Sequence, residues 1–243
     1  MRIAILSDIH ANVEALTAVL DYCRFNRIHK YICLGDVVGY GAEPNKCCEL
    51  LRDVCSVTLL GNHDAAVAGM MDTDYYYLAA KQALYWTREQ LSETNFRWLY
   101  SLPYTHVLDN LAFFHSAPIV PSRFFYVVRQ EDAQAHLKVF DRLSDFNFVG
   151  HSHLTNQYLL GPRKARDFSG KPVTLQAGKK WIINVGSVGQ PRDRDNRACF
   201  GIFDTDAQTF EHVRIDYDID SSAERILRAG LNERFAKRLY VGL

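Results

Sequence analysis

The chain has no excess of charge of either sign: 28 Lys and Arg face 28 Asp and Glu over 243 residues. A protein that holds a long polyanion clusters Lys and Arg against many phosphates, so this balance excludes a bulk nucleic-acid binder. The densest basic runs, Arg163, Lys164, Arg166 and Lys179-Lys180, are short and read as solvated loop charges. No apolar run approaches the roughly 20 residues needed to cross a bilayer. The opening MRIAILSDIH reaches polar and charged residues too soon for a secretory leader. The six cysteines form no C-x-x-C pair and no zinc-finger spacing. Cys33 and Cys199 lie in apolar runs, where a free thiol behaves as a small hydrophobe. A cytoplasmic protein with reduced cysteines is expected. No Walker lysine and no third glycine follow Gly39 and Gly41, which excludes the common nucleotide-binding loops. Val185 stands where a serine-hydrolase elbow around Ser187 needs its first glycine.

What is present is an ordinary globular composition, 48% hydrophobic and 23% charged, enough to bury a full core. Residues 2–7, 31–34 and 57–60 read as buried strands, and helices fit between them. Asn12 can cap the first helix, whose face is Leu16, Val19, Leu20 and Cys23. That order implies a parallel sheet. Residues 64–102 read as a helical, aromatic-rich insertion packed on the sheet, cap-like over a site. From residue 104 the pattern turns mostly to β. Asp109-Asn110 reads as a hairpin turn, and a helix is predicted near 131–140. Strands follow at 146–149, 157–160, 173–176, 181–185, 198–204 and 210–217. Ser221 and Glu224 fit a capping box for a C-terminal helix. No linker separates the halves, so residues 1–243 are expected to form one domain of two sheets packed face to face.

Each abrupt strand end carries metal-ligating side chains: Asp8-Ile9-His10, Gly35-Asp36, Gly61-Asn62-His63-Asp64, His115 and Gly150-His151-Ser152-His153. Ligands bind at the carboxyl ends of strands in open α/β sheets. On extended backbone, residues i and i+2 face one way, which pairs Asp8 with His10 and His151 with His153. The set Asp8, His10, Asp36, Asn62, His115, His151 and His153 mixes carboxylate, amide oxygen and imidazole. That mix suits Mn, Fe, Co, Ni or Zn and fits an all-oxygen calcium site poorly. Seven ligands exceed one tetrahedral ion and suit two ions sharing a carboxylate, with Asp36 the natural bridge. Two such ions attract a phosphate and clamp the oxygens of an in-line displacement.

In this order the five blocks resemble the motif series of the calcineurin-like metallophosphoesterase superfamily, over roughly residues 1–204. The resemblance implies a four-layer α/β/β/α sandwich of two mixed sheets. It also implies a two-metal phosphoesterase, manganese the foremost metal, in which a metal-bridging hydroxide attacks a phosphodiester or nucleotide-type phosphoanhydride. One ion would take Asp8, His10, Asp36 and His153, the other Asp36, Asn62, His115 and His151. His63 would protonate the leaving oxygen or stabilise the transition state, and Asp64 would orient it by a hydrogen bond. Residues 184–192 resemble a late family loop, so Arg192 is a candidate phosphate contact, as is Asn12. The Gly35-Asp36 block lacks the arginine of protein Ser/Thr phosphatases, which weighs against that alternative. Intact ligand positions weigh against a non-catalytic scaffold. A small phosphorylated substrate is expected, with no long nucleic acid and no membrane. The choice of substrate is expected to rest on residues 64–102 and 117–130, with Arg123, Phe124, Phe125, Tyr126 and Arg129.

Overall fold

Short apolar runs alternate with amphipathic helices from the first residues onward, and the computed structural model, which describes residues 1–243, turns them into layers. The first half of the chain runs β1 (Arg2–Leu6), α1 (Val13–Phe25), β2 (Lys30–Cys33), α2 (Pro44–Val54), β3 (Val57–Thr58), α3 (Asn62–Val67), α4 (Leu78–Gln90), α5 (Glu93–Tyr100), β4 (Thr105–Leu108) and β5 (Leu111–Phe114). The second half runs α6 (Gln130–Ala135), β6 (Phe146–Val149), β7 (Gln157–Gly161), β8 (Lys164–Asp167), β9 (Val173–Thr174), β10 (Lys180–Asn184), β11 (Ala198–Asp204), β12 (Thr209–Ile215), α7 (Ile219–Arg228) and α8 (Glu233–Val241).

Two six-stranded sheets form, in the orders β3-β2-β1-β11-β12-β9 and β4-β5-β6-β10-β7-β8. Both are mixed. β1 pairs parallel with β2 and antiparallel with β11, and β10 pairs parallel with β6 and antiparallel with β7. Successive side chains on a strand face opposite ways, and β1 shows the consequence. Ile3 and Ile5 join Phe113, Phe148 and Trp181 in the core between the sheets. Ala4 and Leu6 face outward onto Leu16, Val19 and Leu20 of α1. On the far side, Leu160 and Ile182 pack with Ala133 of α6. Strands covered on both faces must be apolar throughout, which is why β1 and β2 read as continuous hydrophobic runs. The result is the expected α/β/β/α sandwich. No helix is long and apolar enough to cross a membrane.

Several local readings change. Lys164 and Arg166 lie on β8, an edge strand, where charges discourage pairing with another sheet. The strand escaped notice because only Ala165 of it is buried, which leaves no apolar alternation. α7 is capped by Asp218, which accepts from the Ser221 amide at 2.9 Å and the Ser221 hydroxyl at 2.7 Å, rather than by a Ser221–Glu224 box. Residues 64–102 are not helical throughout: α3 ends at Val67 and α4 begins at Leu78. The α4 face of Ala80 and Ala83 packs beside α7 and α8 residues Ile226, Phe235 and Leu239. The hairpin at Asp109-Asn110 forms, with Asp109 at φ 53°. All six cysteines are free.

Candidate metal centre

The four loops that leave β1, β2, β5 and β6, with the N-terminus of α3, bring the seven expected ligands together, all of them buried. Three overlapping groups of donor atoms lie within 4.8 Å of one another: Asp8, His10 and His153; His10, Asp36 and His63; Asp36, His115 and His151. Convergence does not arise from extended backbone. Asp8, His10, Asp36, His151 and His153 all have φ between 49° and 66°. Non-glycine residues rarely occupy this left-handed region, and strain of this kind concentrates at functional sites. The consequence for the second pair is a split: His153 joins Asp8 and His10, whereas His151 joins Asp36 and His115.

Each carboxylate has one oxygen tied back and one presented. Asp36 Oδ1 accepts from the His63 amide at 2.8 Å, while Oδ2 faces His10 Nε2 at 3.7 Å and His115 Nε2 at 3.4 Å. Asp8 Oδ2 accepts from the His151 amide at 3.0 Å, while Oδ1 faces His153 Nε2 at 3.2 Å and His10 Nε2 at 3.9 Å. The Asn62 amide is oriented too: Nδ2 donates to the Tyr76 hydroxyl at 2.6 Å, which turns Oδ1 toward His115 Nε2 at 3.1 Å.

The imidazoles provide the test of fit for a metal. His10 Nδ1 lies 3.2 Å from the Val38 carbonyl and His153 Nδ1 lies 2.5 Å from the Gln190 carbonyl. A carbonyl only accepts, so each Nδ1 carries the proton and each Nε2 presents a lone pair. Those two Nε2 atoms stand 3.1 Å apart. Facing lone pairs in a buried site call for a cation between them. Asp8 Oδ1 and His151 Nε2 are buried without a hydrogen-bond partner, which points the same way. The donor set therefore fits divalent ions of the Mn-to-Zn series.

Protonation agrees with ligation for most of the set. Burial pushes the Asp36 carboxyl up, but His115, His63 and His10 outweigh it and hold the group well below the carboxylate range. Asp8 is likewise lowered, burial being overcome by His153 and His115. Burial drops His151 to about 3, with His115 adding to the effect. His115 is the exception: against the pull of burial, Asp36 raises it to about 9. Metal binding at His115 near neutral pH must therefore displace a proton.

Two expectations about the remaining residues are corrected. Asp64 does not hydrogen-bond His63. Its carboxylate accepts from the amides of Val37 at 3.2 Å, Val38 at 3.1 Å and Gly61 at 3.1 Å, and so ties the Asp36 loop to the start of α3. His63 Nδ1 has no partner; the backbone beside it is Gly39, where a Cβ would press on that nitrogen. Rings hold His63 instead, with Tyr40 at 4.4 Å, His10 at 4.9 Å and Tyr76 at 5.2 Å between centroids. Asn12 makes structural bonds only: Oδ1 accepts from the Ala15 amide and the Ser222 hydroxyl, and Nδ2 donates to the Gly189 carbonyl. These bonds cap α1 and pin the loop after β10, and Asn12 does not line the cavity that holds Asp36 and His63.

Arg192 reaches the site as expected. It lines a cavity of about 310 Å³ with Asp36, Asn62, His63, His151 and His153, and its Nε is buried without a partner. Arg123, Phe124 and Tyr126 line the same cavity, while Phe125 and Arg129 do not. Sequence reasoning missed Asn184, whose Nδ2 holds the turn after β6 by donating to the Gly150 carbonyl at 2.6 Å and Ser152 Oγ at 2.8 Å. It also missed the carbonyls of Val38 and Gln190, which no side-chain pattern reports.

The glycines of the motif blocks are steric requirements. At Gly61 a Cβ would meet Asp36 Oδ1 and the Asp36 backbone, with Cα at 2.8 Å. Gly61→Ala is expected to cost about 1–3 kcal/mol, the usual range for overpacking, and to lower metal uptake as Asp36 shifts. Gly170→Ala, which meets nothing within 4 Å, should carry only the left-handed penalty of its φ of 72° and keep full metal uptake. Thermal melts with metal analysis compare the two; equal metal content in both would contradict the role given to Gly61.

The profile of the calcineurin-like phosphoesterase superfamily domain matches residues 1–208. An uncharacterized protein of Methanocaldococcus jannaschii, MJ0912, is 38% identical over 99% of this chain and 98% of its own length. Among solved structures, a metallophosphoesterase from Sphaerobacter thermophilus superposes with a TM-score of 0.85 at 35% identity, covering 100% of this chain and 99% of that one. The hypothetical protein PH1004 from Pyrococcus horikoshii OT3 superposes with a TM-score of 0.80 at 21% identity, covering 100% and 98%.

Proposed function

The chain belongs to the calcineurin-like phosphoesterase superfamily, and from that premise we propose that it hydrolyses phosphodiester or nucleotide-type phosphoanhydride bonds with two divalent ions, manganese foremost and Fe, Co, Ni or Zn as alternatives. One observation carries the reading: Asp36 Oδ2 faces His10 on one side and His115 on the other, at 3.7 and 3.4 Å, between two separate donor groups. Asp8, His10, Asp36 and His153 would hold one ion, and Asp36, Asn62, His115 and His151 the other. When bound, two such ions acidify water and neutralise charge on phosphorus oxygens.

The chain's own groups do the rest. Arg192 brings a guanidinium to the cavity, suited to a phosphate oxygen. Burial lowers His63 to about 4, although Asp36 opposes the shift. At neutral pH it is therefore an uncharged imidazole, and it donates an N–H to the phosphoryl group rather than a full proton to the leaving oxygen. Asp64 contributes at one remove, by fixing the loops that carry Asp36 and Asn62. A cavity of about 310 Å³ suits a small phosphate compound better than a long nucleic acid or a membrane surface. The six unpaired thiols fit a reducing compartment, and the cytoplasm is the proposed location.

Hydrolysis of bis(p-nitrophenyl) phosphate tests the reading. Chelator-treated protein is expected to lose activity and to regain it with Mn, Co or Ni. Full activity after chelation, with no bound metal by elemental analysis, would contradict it.

A further inference from the structure

Three tyrosines stand around the cavity mouth in a way that core packing does not explain. Tyr75 is 88% exposed, Tyr77 48% and Tyr126 53%, and all three line the cavity that holds Asp36 and His63. None of the three lies within a helix or strand; rings exposed together around a concave site mark a place where a ligand covers them. The Tyr126 ring lies parallel to the His151 imidazole, with centroids 3.9 Å apart and planes 15° from coplanar. One face of Tyr126 is thus covered by a metal-ligand candidate, and the half-exposed ring leaves its other face for an occupant. Charge in the lining is mostly positive apart from Asp36: Arg123 and Arg192 both reach it. Flat apolar walls with cationic rims select an anion that carries a planar ring.

We infer that this cavity seats a nucleoside phosphodiester, its base stacked on Tyr126 against the tyrosine wall and its phosphorus at Asp36 and His63. The inference rests on the hydrolase reading above and names the substrate class within it. Stacking on aromatic side chains tolerates every base, so the inferred preference is for a nucleoside over an alkyl group and not for one base.

Two diesters with the same leaving group provide the test on the Mn-loaded protein: thymidine 5′-(p-nitrophenyl phosphate) and methyl p-nitrophenyl phosphate. The nucleoside diester is expected to have the higher kcat/KM by about 5- to 150-fold, the range of base-on-aromatic stacking. Tyr126→Phe should keep that ratio and Tyr126→Ala should bring it close to one. Tyr75→Ala, at a largely exposed position, should reduce the ratio without risk to the fold. Equal rates on both diesters, or a ratio unchanged in Tyr126→Ala and Tyr75→Ala, would overturn the inference and leave the hydrolase reading standing. If neither diester is cleaved, calorimetry decides the inference separately from the hydrolase reading. Thymidine 5′-monophosphate binding tighter than ribose 5-phosphate by a similar factor supports it, and equal affinities overturn it.

Discussion

Asp36→Asn is expected to abolish phosphodiester hydrolysis, by at least about 10⁴-fold, because metal-free water lacks the drop in pKa from 15.7 toward 7 that a bound ion confers. The substitution preserves shape and the hydrogen bond from the His63 amide, which an amide oxygen can still accept. It removes the one anion that faces both donor groups. Without that charge, the largest pull that raises His115 is lost, and only the weaker ones of Asp8 and Asp64 remain to oppose burial, which disfavours its protonated form. The variant should therefore be folded, hold less than a full complement of metal by elemental analysis, and show no activity restored by added Mn. Wild-type metal content with wild-type rate would show that Asp36 bridges nothing.

His63→Ala carries the second large effect, a loss of about 10²–10³-fold, typical of removing one preorganised donor from a developing oxyanion. Its dependence on leaving group is the informative part. A neutral imidazole that donates to the phosphoryl oxygen contributes equally whether the departing group is p-nitrophenolate or an alkoxide. An imidazolium that protonates the leaving oxygen matters most for the alkoxide. The lowered pKa of His63 and the lack of a hydrogen-bond partner at its Nδ1 favour the first. A loss confined to poor leaving groups would restore the role of a general acid.

Both predictions use residues that are legible in the sequence, and the reasons are physical. Asp36 and His63 follow glycine-led stops in apolar strands, and such stops are where an α/β sheet exposes ligand-binding ends. All seven ligand candidates stood out in this way because strand burial makes any polar residue at the boundary conspicuous. What stayed hidden was conformational. Nothing about Asp8, His10 or His151 as residue types announces a left-handed backbone, so the assumption of extended strands gave the right residues with the wrong partner for His151. The resemblance implies that Asp64 orients His63, whereas the amides of Val37, Val38 and Gly61 take up its carboxylate. Asn12 offers two readings, cap and phosphate contact; its oxygen caps α1 and its nitrogen bonds the Gly189 carbonyl. The end of the chain was the least legible part. α8 packs Phe235 against Tyr40, 4.9 Å between centroids, and so supports the ring that holds His63. No motif there advertises a link to the site, because the contribution is a hydrophobic contact and not a chemical group.

The central claim is that one buried carboxylate joins two metal positions in a phosphoesterase site. Calorimetric titration of chelator-stripped protein with Mn, followed in parallel by diester hydrolysis, tests it most directly. Two equivalents are expected to bind per chain, with proton release near neutral pH as His115 gives up its proton, and activity should rise to its maximum only when both positions are filled. Saturation at one equivalent with full activity, or no uptake at all, would contradict it.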